Sequence, residues 1–172
     1  MEINEKTKEV LTKVGLALLI TQTAEMIIRT SLVYALKDVA AITADDLLAE
    51  SESKAKKTLG NLLAELRIRT EIYDGFDTLL SEFLRNRNVL AHHFSDRDGS
   101  DLHSDEGREK ANIFLSKLTQ QALRVIDVFA GLMVAWQEQV NLKGPEIGGD
   151  YGKRIREEYA PLASVIFTKK EK

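Results

Sequence analysis

One spacing constrains the fold of this chain more than any other feature. Ala111, Leu115, Leu118, Ala122, Val125, Phe129, Leu132 and Trp136 follow one another in alternating four- and three-residue steps. Such steps hold an apolar stripe on one side of a helix and match the seam of a left-handed helical bundle. Ser104 suits the N-cap of this helix, with Asp105 and Glu106 in its first turn. Lys143-Gly144-Pro145 and then Gly148-Gly149 end it near residue 141. A stripe of that length needs other helices to cover it, which predicts an all-α bundle.

The remaining segments supply those helices. Residues 4 to 39 read as one long helix without proline, whose Gly15 costs only about 1 kcal/mol relative to alanine. Its middle, residues 14 to 20, is apolar all round, which implies burial on two sides, against the core and against a partner chain. Glu25 and Arg29 stand four residues apart, the spacing of a helical ion pair. Residues 40 to 53 read as a turn with a short helical piece, capped by Thr43 and carrying Asp45 and Asp46 in its first turn. A second helix over 54 to 69 bears Leu59, Leu62, Leu63 and Leu66 on one stripe. A break near 70 to 75 precedes a third helix from 74 to 95, and residues 95 to 103 form a polar loop. A short tail helix spans 151 to 165, interrupted by Pro161. The expectation is a single domain over 1–172. It has a core of four to five helices, two of them long, over about 4–141, with a loop and short C-terminal helix in 142–172.

Composition narrows the function classes. The 172 residues include no cysteine, which excludes a disulfide framework, a thiolate zinc site and a cysteine nucleophile. A formal net charge of −3 disfavours a general electrostatic nucleic-acid binder but leaves room for a local basic pocket. The first residues lack the layout of a signal peptide, and the longest apolar run is too short to span a bilayer. The expectation is a cytoplasmic protein without membrane contact. The Asp96-to-Asp101 loop places its glycine too early for a calcium loop. Adjacent histidines on a helix diverge by about 100°, so His92, His93 and His103 do not read as a metal cluster. No metal and no cofactor are expected.

Chemistry concentrates in Leu84-Arg85-Asn86-Arg87-Asn88-Val89-Leu90-Ala91-His92-His93-Phe94, inside the third helix. With Phe76 at zero on a helical wheel, Leu79, Leu80, Phe83, Leu84, Leu90, Ala91 and Phe94 fall within about 80° of it, on the core face. Arg87 lands at about 20°, within that face, whereas Asn88, His92 and Arg85 lie at about 120°, 160° and 180°. An arginine on an apolar stripe needs an anionic partner such as Glu25, a distorted helix, or a cleft opening in the bundle. Histidine is the side chain best suited to exchange protons near neutrality, and arginine to clamp a phosphate. Together they suit metal-free phosphoryl transfer on RNA. One histidine cannot serve both proton transfers; a symmetric dimer supplies the second.

Arg87-Asn88-Val89-Leu90-Ala91-His92 resembles the signature of the HEPN superfamily (higher eukaryotes and prokaryotes nucleotide-binding). That signature is an arginine and a histidine separated by four to six intervening positions, the first of them usually polar. The upstream Thr58-Leu59-Gly60-Asn61-Leu62 leading into the Arg-Asn helix is similar to the layout of several bacterial members. The resemblance covers residues 4 to 141. It implies a bundle that dimerises with two motifs facing one cleft, and a metal-independent endoribonuclease of toxin–antitoxin or phage-defence type. Its partners would be an RNA substrate, a second copy and an antitoxin protein. By this resemblance Arg87 contacts the scissile phosphate, His92 transfers protons, and Asn88 orients one of them or the RNA. Arg85, His93 and Glu25 are secondary candidates, since Arg85 with His92 and Arg87 with His93 also satisfy the spacing. One branch of the superfamily carries a tyrosine two places after the histidine, modified by its antitoxin. Phe94 stands there and has no hydroxyl to modify. The alternative is a non-catalytic HEPN-like module that dimerises or binds a nucleotide or protein.

Overall fold

A computed structural model of the chain describes residues 4–36, 44–95, 101–141 and 148–170, with the side chains of 44–48 left aside. Its helices are α1 (Glu5–Val33), α2 (Ala44–Ala55), α3 (Leu59–Arg69), α4 (Asp74–His92), α5 (Asp105–Gln139), α6 (Gly149–Arg154) and α7 (Ala160–Ile166), with a π-helical turn, Ile155–Tyr159, between the last two. Two three-residue strands, β1 (Thr70–Ile72) and β2 (Phe167–Lys169), pair antiparallel. The all-α expectation holds, and this small ribbon lies outside it.

The long helices α1 and α5 form the spine. Lys6 meets Asp105, Lys13 meets Asn112 and Tyr34 stacks near Trp136, so the two run side by side in the same direction. The α5 stripe does what its spacing requires: Ala111, Leu115, Leu118, Ala122, Val125 and Phe129 are buried, and Leu132 and Trp136 half-buried. On α1 the facing stripe is Val10, Val14, Ala17, Thr21, Ala24, Ile28 and Ser31, also in four- and three-residue steps. The α4 helix runs antiparallel to α5, with Phe76 near Phe129, Asn86 bonded to Gln121 and Phe94 near Phe114. All four stripe leucines of α3 are buried.

Several boundaries differ from expectation. The first helix ends at Val33, where Arg69 donates to the Leu32 carbonyl and satisfies one of the open acceptors of a helix end; residues 37 to 39 lie outside the described residues. Thr43 lies outside them as well. The helix expected over 54–69 divides at residues 56–58. Thr58 caps α3 by accepting from the Asn61 N–H, and Lys54 belongs to α2. The α4 helix stops at His92, and Ala91 is exposed rather than on the core face. Ser104 caps α5 as expected, accepting from the Gly107 N–H at 3.1 Å. Asn141, at φ 53°, takes the left-handed conformation that commonly closes a helix.

Pro161 does not split the tail helix, because the π turn precedes it. A proline lacks the N–H for the regular ladder and crowds the carbonyl four residues back; the wider turn absorbs both defects. The tail packs closely on α5, where a Cβ on Gly131 would overlap the Tyr159 carbonyl. The β1–β2 ribbon ties the chain between α3 and α4 to the C-terminus, extended by a Tyr73 N–H bond to the Ile166 carbonyl at 2.9 Å.

Candidate functional site

Four consecutive residues of α4 point three ways, because each step turns about 100°. Asn86 faces α5 and donates to Gln121 at 2.8 Å; Gln121 in turn donates to Glu82 at 2.9 Å. Arg87 faces α1, where its Nε donates to Glu25 at 2.5 Å. Arg85 and Asn88 face outward, and His92 lies exposed on the same face at the last helical residue. From Arg85 to His92 is two helical turns, about 10 Å along the axis.

Of the three possibilities open for Arg87, the anionic partner is realised. The Arg87 and Glu25 side chains are 26% and 14% exposed, so the pair is partly desolvated and each charge depends on the other. Glu25 therefore pairs with Arg87 across the bundle, and not with Arg29 along α1 among the described residues. The Arg29 Nε is buried and without a hydrogen-bond partner there. Arg87 stays connected to the outer face by one bond, from its Nη1 to the Asn88 Oδ1 at 3.2 Å.

Arg87 and His92 thus diverge, whereas Arg85, Asn88 and His92 share one exposed face. Arg85 makes no ion pair among the described residues and borders an open depression of about 400 Å³ with Asp77, Thr78, Ser81 and Glu82. Its two carboxylates are occupied, Asp77 by Arg67 and Glu82 by Lys117. The rings of His92 and His93 meet edge to face, 6.2 Å between centroids. His103 lies in the turn before α5, where its N–H donates to Asp101. No group of three acidic, histidine or cysteine side chains able to hold a metal occurs among the described residues.

The α1 helix is buried on one face only. Leu16, Leu19 and Met26, three and then seven residues apart, are 53%, 63% and 57% exposed, on the side away from the core stripe. Exposed Leu11 flanks them. No charge interrupts the helix between Lys13 and Glu25. By length and composition both α1 and α5 could cross a membrane, but α5 spends its apolar stretch largely on the core, while that of α1 is 22% buried.

One charged cluster escaped the sequence reading. Lys54 is 3% exposed and binds Glu65 at 2.6 Å and Glu50 at 3.0 Å. Lys57 and Arg69 also reach Glu65, and Arg69 reaches Glu50 at 3.1 Å. Burial works against the Glu65 charge, but the bonds from Lys54 and Lys57 and the field of Arg69 hold its carboxyl below the ordinary value of 4.5. The signal was present as two i, i+4 pairs, Glu50/Lys54 and Glu65/Arg69, but nothing in the sequence says that they meet. A second cluster centres on buried Asp127, which accepts from Tyr151 and Arg154. Burial and the Asp127 charge push the Tyr151 hydroxyl up to about 12.

Compared with protein-family models, with curated proteins and with solved structures, the chain finds no match in any of the three.

Proposed function

We propose that the protein is a metal-independent endoribonuclease of the HEPN type, cytoplasmic, acting as a homodimer in a toxin or phage-defence system. The observation that carries this reading is the exposed face of α4 on which Arg85, Asn88 and His92 stand together. In the reaction, the RNA 2′-oxygen bonds to phosphorus as the P–O5′ bond breaks, leaving a 2′,3′-cyclic phosphate and a 5′-hydroxyl. His92 of one copy takes the 2′-hydroxyl proton, and His92 of the other, protonated, delivers one to the 5′-oxygen. Charge on the phosphorane is met by arginine. With Arg87 held by Glu25, Arg85 takes the phosphate, while Arg87 acts through its bond to Asn88 as a positioning residue.

The second copy docks on the exposed side of α1. Leu16, Leu19 and Met26 lie at three of the four seam positions from 16 to 26, with Thr23 at the fourth, and leave an apolar strip for another helix. The Glu25–Arg87 pair joins this helix to the reactive one. Incubation of purified protein with RNA in EDTA should give fragments ending in cyclic phosphate, and His92→Ala should give none. Sedimentation should show a dimer that Leu19→Glu turns into a monomer without activity. Uptake by phosphatidylglycerol vesicles in place of dimerisation would assign the α1 face to a lipid surface and overturn the dimeric site.

The Glu25–Arg87 pair favours a second reading, a non-catalytic HEPN-like module in which the signature arginine only braces α1 against α4. It predicts a stable dimer that cleaves no RNA, and normal host growth on expression of the wild-type chain. Co-purification with an antitoxin that restores the growth of a poisoned host would favour the enzyme.

A further inference from the structure

The other end of α4 carries a second site, independent of the His92 face. A cleft of about 420 Å³ opens there between the start of α4, the middle of α5 and α7. Its floor is closed by Phe76, Val128 and Ile166, all buried. Its rim is apolar yet open to water, with Tyr73, Val165 and Leu162 exposed by 64%, 69% and 36%. Water-facing side chains of that size around one cavity leave apolar area for a ligand to cover.

One charged side chain, Arg124, lines this cleft. It is exposed and makes no ion pair among the described residues. Of the carboxylates on the neighbouring turns, Asp77 accepts from Arg67 at 2.8 Å and Asp127 from Arg154 at 3.0 Å and Tyr151 at 3.1 Å, while Asp74, beside Tyr73 and Gly75, is exposed to water. None of the three is part of the lining. The result is an apolar pocket whose one lining charge is a guanidinium without an ion-pair partner among the described residues. Its volume falls in the usual range for small-molecule sites, roughly 300–1,000 Å³. A helix, about 10 Å across, would not enter it.

We propose that this cleft binds a small amphipathic anion, a medium-length acyl chain or aromatic ring bearing one carboxylate. The apolar part lies on Phe76, Val128 and Ile166, and Arg124 takes the carboxylate by charge-assisted hydrogen bonds. The rim is adjustable at Tyr73, whose ring rests against Gly75. A Cβ at Gly75 would stand 2.8 Å from that ring and push it aside.

Calorimetric titration of the full chain with sodium decanoate, below its micellar concentration, tests this. Saturable one-to-one binding is expected, weakened about tenfold by Arg124→Gln and abolished by Val165→Glu. Both residues are exposed, so both variants should melt with the wild type. Gly75→Ala should alter the affinity through the displaced Tyr73 ring. Decanol should bind more weakly and ignore Arg124→Gln, and decyltrimethylammonium should not bind. Absence of saturable decanoate binding, equal binding of the cationic analogue, or indifference to Arg124→Gln would overturn the proposal. So would self-association that Val165→Glu removes with no decanoate bound, since the patch would then be a protein contact. His92→Ala should leave decanoate binding intact, so failure here and failure of the ribonuclease reading are separate results.

Discussion

Two charged regions of this molecule are built on opposite principles. Around Lys54, five charged groups from α2, α3 and the link between them saturate one another with little water. On α4, Arg85, Asn88 and His92 stand exposed, and neither Arg85 nor His92 has an ion-pair partner among the described residues. The first cluster holds helices together, and loss of one member strands the others. The second makes one bond among the described residues, from Arg87 to Asn88 on the same helix, and joins no two helices, so the fold gives no reason for Arg85 and His92. Between the two lies the Glu25–Arg87 pair, which braces α1 against α4 and touches the exposed face only through Asn88. Charge that closes on itself is structural, and charge left open is where chemistry can be sought.

The contrast can be broken most sharply at His92. His92→Ala should lower RNA cleavage by about 1,000-fold and leave the melting temperature unchanged; a destabilised variant would show that the exposed face is structural after all. Next in size is Glu65→Gln, which leaves Lys54 buried with half its partners. A loss of about 3 kcal/mol in urea unfolding is expected, with activity per folded molecule retained.

The arginines of the motif should separate in the same way. Arg87→Ala strands the half-buried Glu25 and should cost about 2 kcal/mol, whereas Arg85→Ala should stay within about 0.5 kcal/mol while cutting cleavage. The reverse pattern would return the phosphate to Arg87 and require Glu25 to release it.

A smaller effect sharpens the closed cluster. The Glu65 carboxyl is held below 4.5 in the folded chain, so its stabilisation is complete above that value and is lost as pH falls below it. Wild-type melting temperature should drop in that acid range more steeply than that of Glu65→Gln; parallel curves would remove Glu65 from the account. The smallest signal is spectroscopic. Burial and the Asp127 charge raise both Tyr151 and Tyr159 above the ordinary tyrosine value of 10.0, so two of the four tyrosines should titrate late in ultraviolet absorbance, Tyr151 near 12. Asp127→Asn should bring both part of the way back, since burial, the larger cause, remains.

Helix periodicity was legible because it is a local property of the chain. The α5 stripe, the α3 leucines, the Ser104 cap and the core face of α4 up to Leu90 all follow from which residues are apolar and how a helix turns. So does the division of Arg87 from Arg85, Asn88 and His92, since 100° per residue puts them on different sides wherever the bundle lies. Features that depend on distant segments were not legible. The three-residue strands are too short to stand out as a pattern, and exist because the chain after α7 returns to the segment before α4. Lys54 is buried only because α2 and α3 bring Glu50 and Glu65 around it.

The candidate site divides along the same line. The sequence by itself determined that a histidine and an arginine share the outer face of one helix, because helical pitch allows nothing else. Tertiary structure alone decided which arginine is paired and which is left without an ion-pair partner among the described residues. Glu25 lies sixty-two residues earlier, and only the packing of α1 on α4 brings its carboxylate to Arg87. A half-buried charge takes the partner that the fold brings to it.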